Sequence, residues 1–406
     1  MIRVLVLSSD TDGVGYFRTL MPNLCINDPD IKIELRLLSD GTLPLLDENF
    51  LKNFDLIFYN KVIPFPNPEK EDIFYGLCKK HNIKVLYDID DYWILDSTHL
   101  NYKNWKTNKS QEKIEGIMAK ADAVTTTTSI FADKIREINP EVYVLPNAIN
   151  HKEQQWDQNK YESNKTRFLW GGGISHIVDL RLIKDEFKKF DKNFLEKSQF
   201  VMCGFDMRIK MQQGGLKKDD PRRSQWGFFE GIFSNNGKYI KGMEYRNFLN
   251  NSSNFDNDID YGRKEEFLDE FYQRRHTKPI LLYGTQYREC DVSVAPLKNN
   301  HSFNRMKSQL KLIEAGIYKC PVIQSNYGPY TIDDIEGKKD GIQKGWLIDE
   351  GKNNWYEKMK WYVDNPSAVK EHGEAAHEYV MENYSMEVVG KQRVALYKEI
   401  ASRDRK

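Results

Sequence analysis

The richest concentration of chemistry-bearing side chains lies in Ala295–Gly316. Met306, Leu310, Ile313 and Ile317 fall at i, i+4, i+7 and i+11, which predicts one helix with a buried apolar face. Lys307, Lys311 and Glu314 repeat that spacing one residue later and form an adjoining polar stripe. Two lysines four apart repel by roughly a few tenths of a kcal/mol on a free helix. An anion at the helix start reverses that sign, because the dipole, the open N–H groups and Lys307 act together. Glu314, two turns on, is placed to accept hydrogen bonds from ribose hydroxyls. The pattern therefore predicts that Asn304, Lys307, Ser308, Lys311 and Glu314 hold a nucleotide-like donor. The plainer alternative is a solvated face with a Lys311–Glu314 pair.

Three further stretches follow predicted strands. Gly171-Gly172-Gly173 precedes Ile174-Ser175-His176, and a glycine turn of this kind offers backbone donors to a diphosphate. Ser175 and Asp179 are alternatively helix caps, and His176 taken alone is an ordinary structural histidine, whereas after a triple-glycine turn facing a cleft it is a candidate catalytic residue. Near the N-terminus, Gly13-Val14-Gly15-Tyr16-Phe17-Arg18 allows close backbone approach to a ligand. A dinucleotide fingerprint needs glycine where Arg18 stands, which argues against a standard NAD site, although Asp40 follows the second strand. Finally, Asp88-Ile89-Asp90-Asp91 puts three acids at a strand end, where they must be solvated, paired or in use. Asp90 or Asp91 is the candidate to orient a sugar hydroxyl or accept its proton. Asp88-Ile89-Asp90 also has the Asp-x-Asp form of a manganese site, and a helix cap with neighbouring surface acids is the alternative.

These turns need a scaffold of strands and helices. Strand-like runs at 2–7, 31–38, 54–58, 83–88, 122–127 and 142–145 alternate with amphipathic stretches. A second series follows at 166–170, 199–203, 279–283, 291–295, 321–324 and 345–348. This rhythm predicts an α/β chain of two consecutive Rossmann-like, doubly wound domains. The expected division is 1–150 as the acceptor domain, 151–165 as a polar linker and 166–380 as the nucleotide-sugar domain. Residues 206–276 read as an insertion, partly helical near 264–275. Residues 351–400 read as helical with a break at Asn365-Pro366, and 381–406 as a C-terminal helix packing back on the first domain. Lys+Arg and Asp+Glu balance at 60 each, so no global field draws the chain to DNA or anionic membranes. The five cysteines are scattered without metal-ligand spacing, and no apolar run reaches the ~20 residues of a membrane span. A cytoplasmic setting, bacterial or in a phage-infected host, is the expectation.

Taken together, the Gly13–Arg18 loop, the Asp88–Asp91 turn, Ala121-Asp122-Ala123-Val124-Thr125 and Val144-Leu145-Pro146-Asn147-Ala148-Ile149 match a known pattern. So do the glycine turn through His176, Asn304–Ser308 leading to Glu314, and Pro321-Val322-Ile323 with Gly328-Pro329-Tyr330. In order and spacing the chain resembles the GT-B glycosyltransferases of the large retaining group that includes glycogen synthases and many bacterial and phage sugar transferases. The resemblance covers nearly the whole chain apart from the insertion. It implies a nucleoside diphosphate sugar, expected to be a UDP-sugar, lodged mainly in the second domain of a two-domain cleft. Glu314 matches the glutamate that holds the donor ribose, and Lys307 the cation near the diphosphate. Two departures stand out. Where the pattern has a second acid, eight residues before the ribose glutamate, this chain has Met306. The usual Arg and Lys after the glycine turn are absent, leaving His176 and Asp179.

The expected reaction is transfer of a hexose or related sugar to an acceptor hydroxyl, with no obligatory cofactor, metal or protein partner. Lys307, the helix start and the Gly171–Gly173 amides would stabilise the leaving diphosphate. Arg18 would assist, and Gly13, Gly15, Tyr16 and Tyr330 would line the acceptor side. A retaining reaction requires no strong base, whereas an inverting one would use Asp90 or Asp91. The acceptor is a glycan or a hydroxylated base in phage DNA, for which Lys217-Lys218, Arg222-Arg223 and Arg274-Arg275 are candidate phosphate contacts. Rival readings are a non-catalytic nucleotide-sugar-binding protein and an NAD-dependent oxidoreductase.

Overall fold

Short strand runs buried on both faces require parallel neighbours to satisfy the backbone and helices to cover each side. The computed structural model of the chain describes residues 1–38, 44–61, 65, 68–97, 99, 101–173, 176–205, 232, 234–235, 238–239, 271–276, 278–299 and 302–404. They form two compact units. Unit 1 comprises Met1–His151, His301–Gln309 and Glu382–Lys406; unit 2 comprises Lys152–Asn300 and Leu310–Met381.

The sheet of unit 1 contains β1 (Ile2–Ser8), β2 (Ile31–Leu37), β3 (Leu56–Asn60), β4 (Lys84–Asp88), β5 (Ala123–Thr126) and β6 (Val142–Val144). Their order is β2-β1-β3-β4-β5-β6, and every pairing is parallel. The period-2 alternation of a strand sorts its residues between two cores. Leu5, Leu7, Ile57, Tyr59, Val85 and Tyr87 face a cluster with Trp93, Ile117 and Phe131. Val4, Val6, Leu56, Phe58 and Leu86 face Leu396, Tyr397 and Ile400 of the C-terminal helix Met386–Ala401. That helix thus closes one side of the first sheet.

Unit 2 contains β7 (Thr166–Gly171), β8 (Ser198–Phe205), the small antiparallel pair β9 (Ser234–Asn235) and β10 (Lys238–Tyr239), β11 (Tyr272–His276), β12 (Val292–Ala295), β13 (Val322–Ser325) and β14 (Gly345–Ile348). The main sheet runs β11-β8-β7-β12-β13-β14, again all parallel. The strand order reverses between β7 and β12, which makes the loops after these two strands the switch point where doubly wound sheets hold ligands.

Three sequence expectations change here. The apolar run expected as a strand at 279–283 is a 3-10 helix, Ile280–Glu289. Pro279 starts it, and Gly284 lies so close to Trp156 that a Cβ there would stand 2.8 Å from the indole. The strand itself lies earlier, at β11, within the expected insertion. It is an edge strand whose Arg275 is buried against Glu289 at 2.5 and 2.8 Å. The expected linker 151–165 is partly core: Trp156 and Gln155 are buried, and the Gln155 amide oxygen accepts the Gly284 N–H at 2.9 Å. Apart from residue 232, β9, β10 and Phe271, the remainder of the expected insertion, including Lys217, Lys218, Arg222 and Arg223, lies outside the described residues, as do Asp40 and Ser175. The 351–400 stretch forms helices Trp355–Asp364, Pro366–Tyr384 and Met386–Ala401.

Candidate functional site

At the switch point of unit 2, β7 ends in the glycine turn. A Cβ on Gly172 would stand 2.9 Å from Trp170 and 3.2 Å from His176 Cδ2, while Gly173 is exposed with open space around it. The turn is thus narrowed by two ring systems and needs glycine at its centre. His176 Nδ1 lies 2.8 Å from Asp179 Oδ2. Asp179 is fully buried, and its other oxygen accepts the Lys298 backbone N–H at 2.7 Å. One carboxylate therefore joins the loop after β7 to the loop after β12.

The helix Leu310–Ile317 delivers the second half of the site. Lys311 Nζ would stand 3.8 Å from a Cβ on Gly171, so its ammonium reaches the glycine turn. It donates to Glu314 Oε2 at 2.9 Å and to the Tyr283 hydroxyl at 3.1 Å. Burial opposes this charge, but Glu314 and Tyr283 outweigh it and the ammonium pKa is raised. Glu314 is fully buried. Its Oε2 also accepts from Tyr287 at 2.7 Å and Tyr283 at 3.4 Å, whereas Oε1 is buried without a hydrogen-bond partner among the described residues. A buried carboxylate oxygen left in that state costs free energy until a donor reaches it. Tyr330 is buried with Ala295, Leu297 and Tyr327 in the same unit, so it belongs to unit 2 and not to the unit that holds the N-terminal loop.

Unit 1 presents a different picture. Gly13 has φ +42°, and a Cβ on Gly15 would stand 2.4 Å from the Asp10 carbonyl; both glycines are therefore required by the turn itself. Tyr16 is buried. Arg18 is expected at a ligand but points inward and is 1% exposed. It meets both oxygens of Asp88, at 2.5 and 3.1 Å, and donates to the Leu145 carbonyl at 2.7 Å and Asn147 Oδ1 at 3.2 Å. Asn60 and Thr125 complete the Asp88 shell, each at 2.7 Å. Burial disfavours both charges, yet each partner outweighs it: Asp88 is held below its ordinary pKa and Arg18 above. Asp88 is consumed by this network and does not pair with Asp90 as a metal site. Among the described residues no group of three or more His, Cys, Asp or Glu is arranged to hold a metal.

Asp90 differs from its neighbours. Burial pushes its carboxyl up to about 6, Lys61 pulls it down, and Asp91 and Asp88 add to the rise. Its Oδ1 has no hydrogen-bond partner among the described residues, with Lys61 Nζ 4.0 Å away. Asp91 is half exposed and lies 3.4 Å from the same lysine.

The helix expected to run unbroken through 304–317 is divided. Ser302–Arg305 is one short helix and Leu310–Ile317 another. Asn304, Lys307 and Ser308 belong to unit 1, and Lys311 and Glu314 to unit 2. Met306 packs in the first unit's core beside Phe303, and Lys307 lies 5.4 Å from the Phe303 ring centroid. Ser308 Oγ accepts from Asn147 at 2.9 Å, which connects it to the Arg18 network. Lys307 is therefore not part of the helix start that its spacing implies. The Arg275 guanidinium, engaged by Glu289, is also removed from the candidate phosphate contacts. Sequence reasoning missed Tyr283 and Tyr287, because their 3-10 helix carries a strand-like apolar run, and gave Asp179 no role beyond a cap.

No helix among the described residues is long and apolar enough to cross a membrane. No protein-family model and no curated protein matches the sequence. Solved structures do match the fold. A glycosyltransferase from Rickettsia africae aligns with TM-score 0.58 at 14% identity, covering 99% of each chain. Sucrose-phosphate synthase from Thermosynechococcus elongatus aligns with TM-score 0.62 at 13% identity over 98% of this chain and 99% of that one. Anabaena HepE in complex with UDP-glucose aligns with TM-score 0.54 at 10% identity over 98% and 100%. At these identities the likeness is one of fold, and the fold of this chain is the two-unit, Rossmann-like GT-B fold shared with those sugar-transferring enzymes.

Proposed function

We propose that the protein is a glycosyltransferase that moves a sugar from a nucleoside diphosphate, UDP being the expected carrier, to an acceptor hydroxyl. The observation that carries this reading is the Glu314 carboxylate. One oxygen is held by Tyr287, Tyr283 and Lys311, and the other is buried and unpartnered. A fixed acceptor beside a glycine turn at a switch point suits a pair of ribose hydroxyls, with diphosphate against the turn. Lys311, whose ammonium approaches Gly171, supports charge on the departing diphosphate. In the transfer the anomeric carbon–oxygen bond to phosphate breaks, its electron pair leaves with the nucleoside diphosphate, and the acceptor oxygen bonds to the anomeric carbon. If configuration is inverted, Asp90 takes the acceptor proton; if it is retained, the departing diphosphate takes it. Its raised pKa suits a base working above about pH 6. Asn304, Lys307 and Ser308 remain proposed donor contacts, and Gly13, Gly15 and Tyr16 shape the proposed acceptor unit. The acceptor is a glycan or a hydroxylated DNA base. No obligatory metal is proposed.

A thermal-shift panel of UDP-, GDP- and ADP-sugars, followed by product analysis for released nucleotide, tests the reading. A rise in melting temperature with one nucleotide series and slow hydrolysis of its sugar donor are expected. Stabilisation without hydrolysis or transfer would leave a nucleotide-sugar-binding protein, and stabilisation by NAD alone would point to an oxidoreductase.

A further inference from the structure

We infer that the acceptor is carried by a single strand of DNA, docked on the helices Tyr102–Thr107 and Ser110–Lys120 of unit 1; this rests on the glycosyltransferase reading, whose acceptor class it names. The chain as a whole carries no net charge, yet Lys103, Lys106, Lys109 and Lys113 are all exposed along these two helices. Among the described residues none of the four has an acidic partner. Lys106 lies 5.9 Å from the Tyr102 ring centroid. Glu115, the closest internal acid in the second helix, is spent on Trp93 Nε1 at 2.9 Å and Gln111 Nε2 at 3.0 Å. Residues three or four apart on a helix are neighbours, so Lys103 with Lys106 and Lys109 with Lys113 form two like-charged pairs. Lys109 also stands at the start of its helix with no side chain capping it, against the positive end of the dipole. Both arrangements are unfavourable until an anion arrives.

This surface is tied to the Asp90–Asp91 turn. Trp93, buried two residues beyond Asp91, donates its Nε1 to Glu115, and its carbonyl accepts Trp105 Nε1 at 2.8 Å. One residue thus fastens both helices to the turn. β4 and β5 are parallel, so the helix Ser110–Lys120 that connects them runs back against the strands. It therefore starts beyond the carboxyl end of β4, the end at which such sheets hold ligands. The lysines and the Asp90 carboxylate share that end of unit 1. Exposed Asn101, Asn104 and Asn108 lie between the lysines, and Tyr102 is half-buried among them. Lysines meet phosphates, amides meet base edges and an aromatic ring stacks on a base, which together fit a nucleic acid strand. Among the described residues no large apolar side chain is exposed between 101 and 113, so the charge lacks the apolar anchor of a membrane-lying helix. A base must leave its stack before chemistry can reach it, which favours a single strand over a duplex.

Fluorescence anisotropy of a labelled DNA strand titrated with the full chain tests this. Four phosphate contacts give a salt slope of about −3 for a single strand, so affinity should fall roughly fiftyfold between about 50 and 200 mM salt. Changing Lys103, Lys106, Lys109 and Lys113 together to Gln should abolish binding at low salt, and changing all four to Arg should preserve it. Each single change to Gln should weaken binding and reduce the slope by about 0.7 to 1. The four side chains are exposed, so the melting temperature of the fourfold Gln variant should not fall, and loss of fold does not confound the result. A parent that does not bind the strand at low salt, a fourfold Gln variant that binds as well as the parent, or a duplex or the same strand as RNA held more tightly would each overturn the inference. Binding to vesicles of anionic phospholipid instead of DNA, lost with the same four lysines, would overturn it in favour of a membrane face. A parent that binds UDP but no DNA sinks this inference alone. One that binds DNA but neither UDP, GDP nor ADP sinks the nucleotide-sugar reading, and the acceptor role with it.

Discussion

Replacing Arg18 with methionine should cost stability, not recognition. The guanidinium is 1% exposed and makes two contacts to Asp88, one to the Leu145 carbonyl and one to Asn147. Methionine keeps much of the aliphatic volume but leaves the buried Asp88 carboxylate with Asn60 and Thr125 as its side-chain donors among the described residues. Breaking a buried ion pair from one side costs about 3–5 kcal/mol. For a unit of this size each kcal/mol shifts the melting temperature by about 2–4 °C, so a fall of roughly 6–20 °C is expected. Asp88→Asn should produce a comparable fall, and Arg18→Met combined with Asp88→Leu should recover a substantial part of it, because neither charge is then stranded. Thermal denaturation followed by circular dichroism, with UDP affinity measured below the transition, checks all three. An Arg18→Met protein that melts within about 2 °C of the parent but no longer transfers sugar would refute the structural assignment and return Arg18 to the chemistry.

Three other substitutions probe the carboxylates. The unfolded chain releases the Asp90 proton near its ordinary pKa and the folded chain near 6. Between about pH 4 and 6 the native state therefore holds the extra proton and stability falls as pH rises, by up to about 3 kcal/mol. Asp90→Asn should flatten that slope in melting temperature against pH and raise stability at pH 7; an unchanged slope would assign the pH dependence elsewhere. Glu314→Gln should cut affinity for UDP and for uridine alike, by about tenfold or more. Tyr287→Phe should reproduce part of that loss with a larger effect on the donor KM than on kcat, and equal effects on both would argue against a role in holding Glu314.

Much of this architecture is legible in the sequence because parallel strands buried on both faces leave uninterrupted apolar runs, as in Leu56–Asn60 and Lys84–Asp88. The runs fail where length and composition mislead. Ile280-Leu281-Leu282-Tyr283 has strand-like composition, but its two leucines are exposed and its tyrosine turns to Glu314 and Lys311. β11, Tyr-Gln-Arg-Arg-His, looks unlike a strand because its buried arginine depends on Glu289, thirteen residues beyond the strand. Side-chain direction was equally hidden. Arg18 after two glycines has the spacing of a ligand contact, and only the proximity of Asp88, seventy positions away, turns it inward. By contrast, Lys311 and Glu314 are legible, because three positions apart on a helix they must be neighbours.

The apolar spacing from Met306 to Ile317 shows the limit most clearly, because one stripe serves two cores. Met306 is 9% exposed within the cluster of Trp93, Phe131 and Tyr92, whereas Ile313 and Ile317 are buried in unit 2. Family resemblance would make Met306 the position of a second acid, and inserting that acid looks like a restoration. The packing says otherwise. Met306→Glu would place a carboxylate without a charged partner among aromatic side chains, at a cost of about 3–5 kcal/mol, while Met306→Leu conserves volume and should cost less than about 1.5 kcal/mol. A lowered melting temperature for the glutamate variant alone, with no gain in transfer, is the expected outcome. A glutamate variant as stable as the leucine variant and faster in turnover would mean that this side chain leaves the core to reach the sugar.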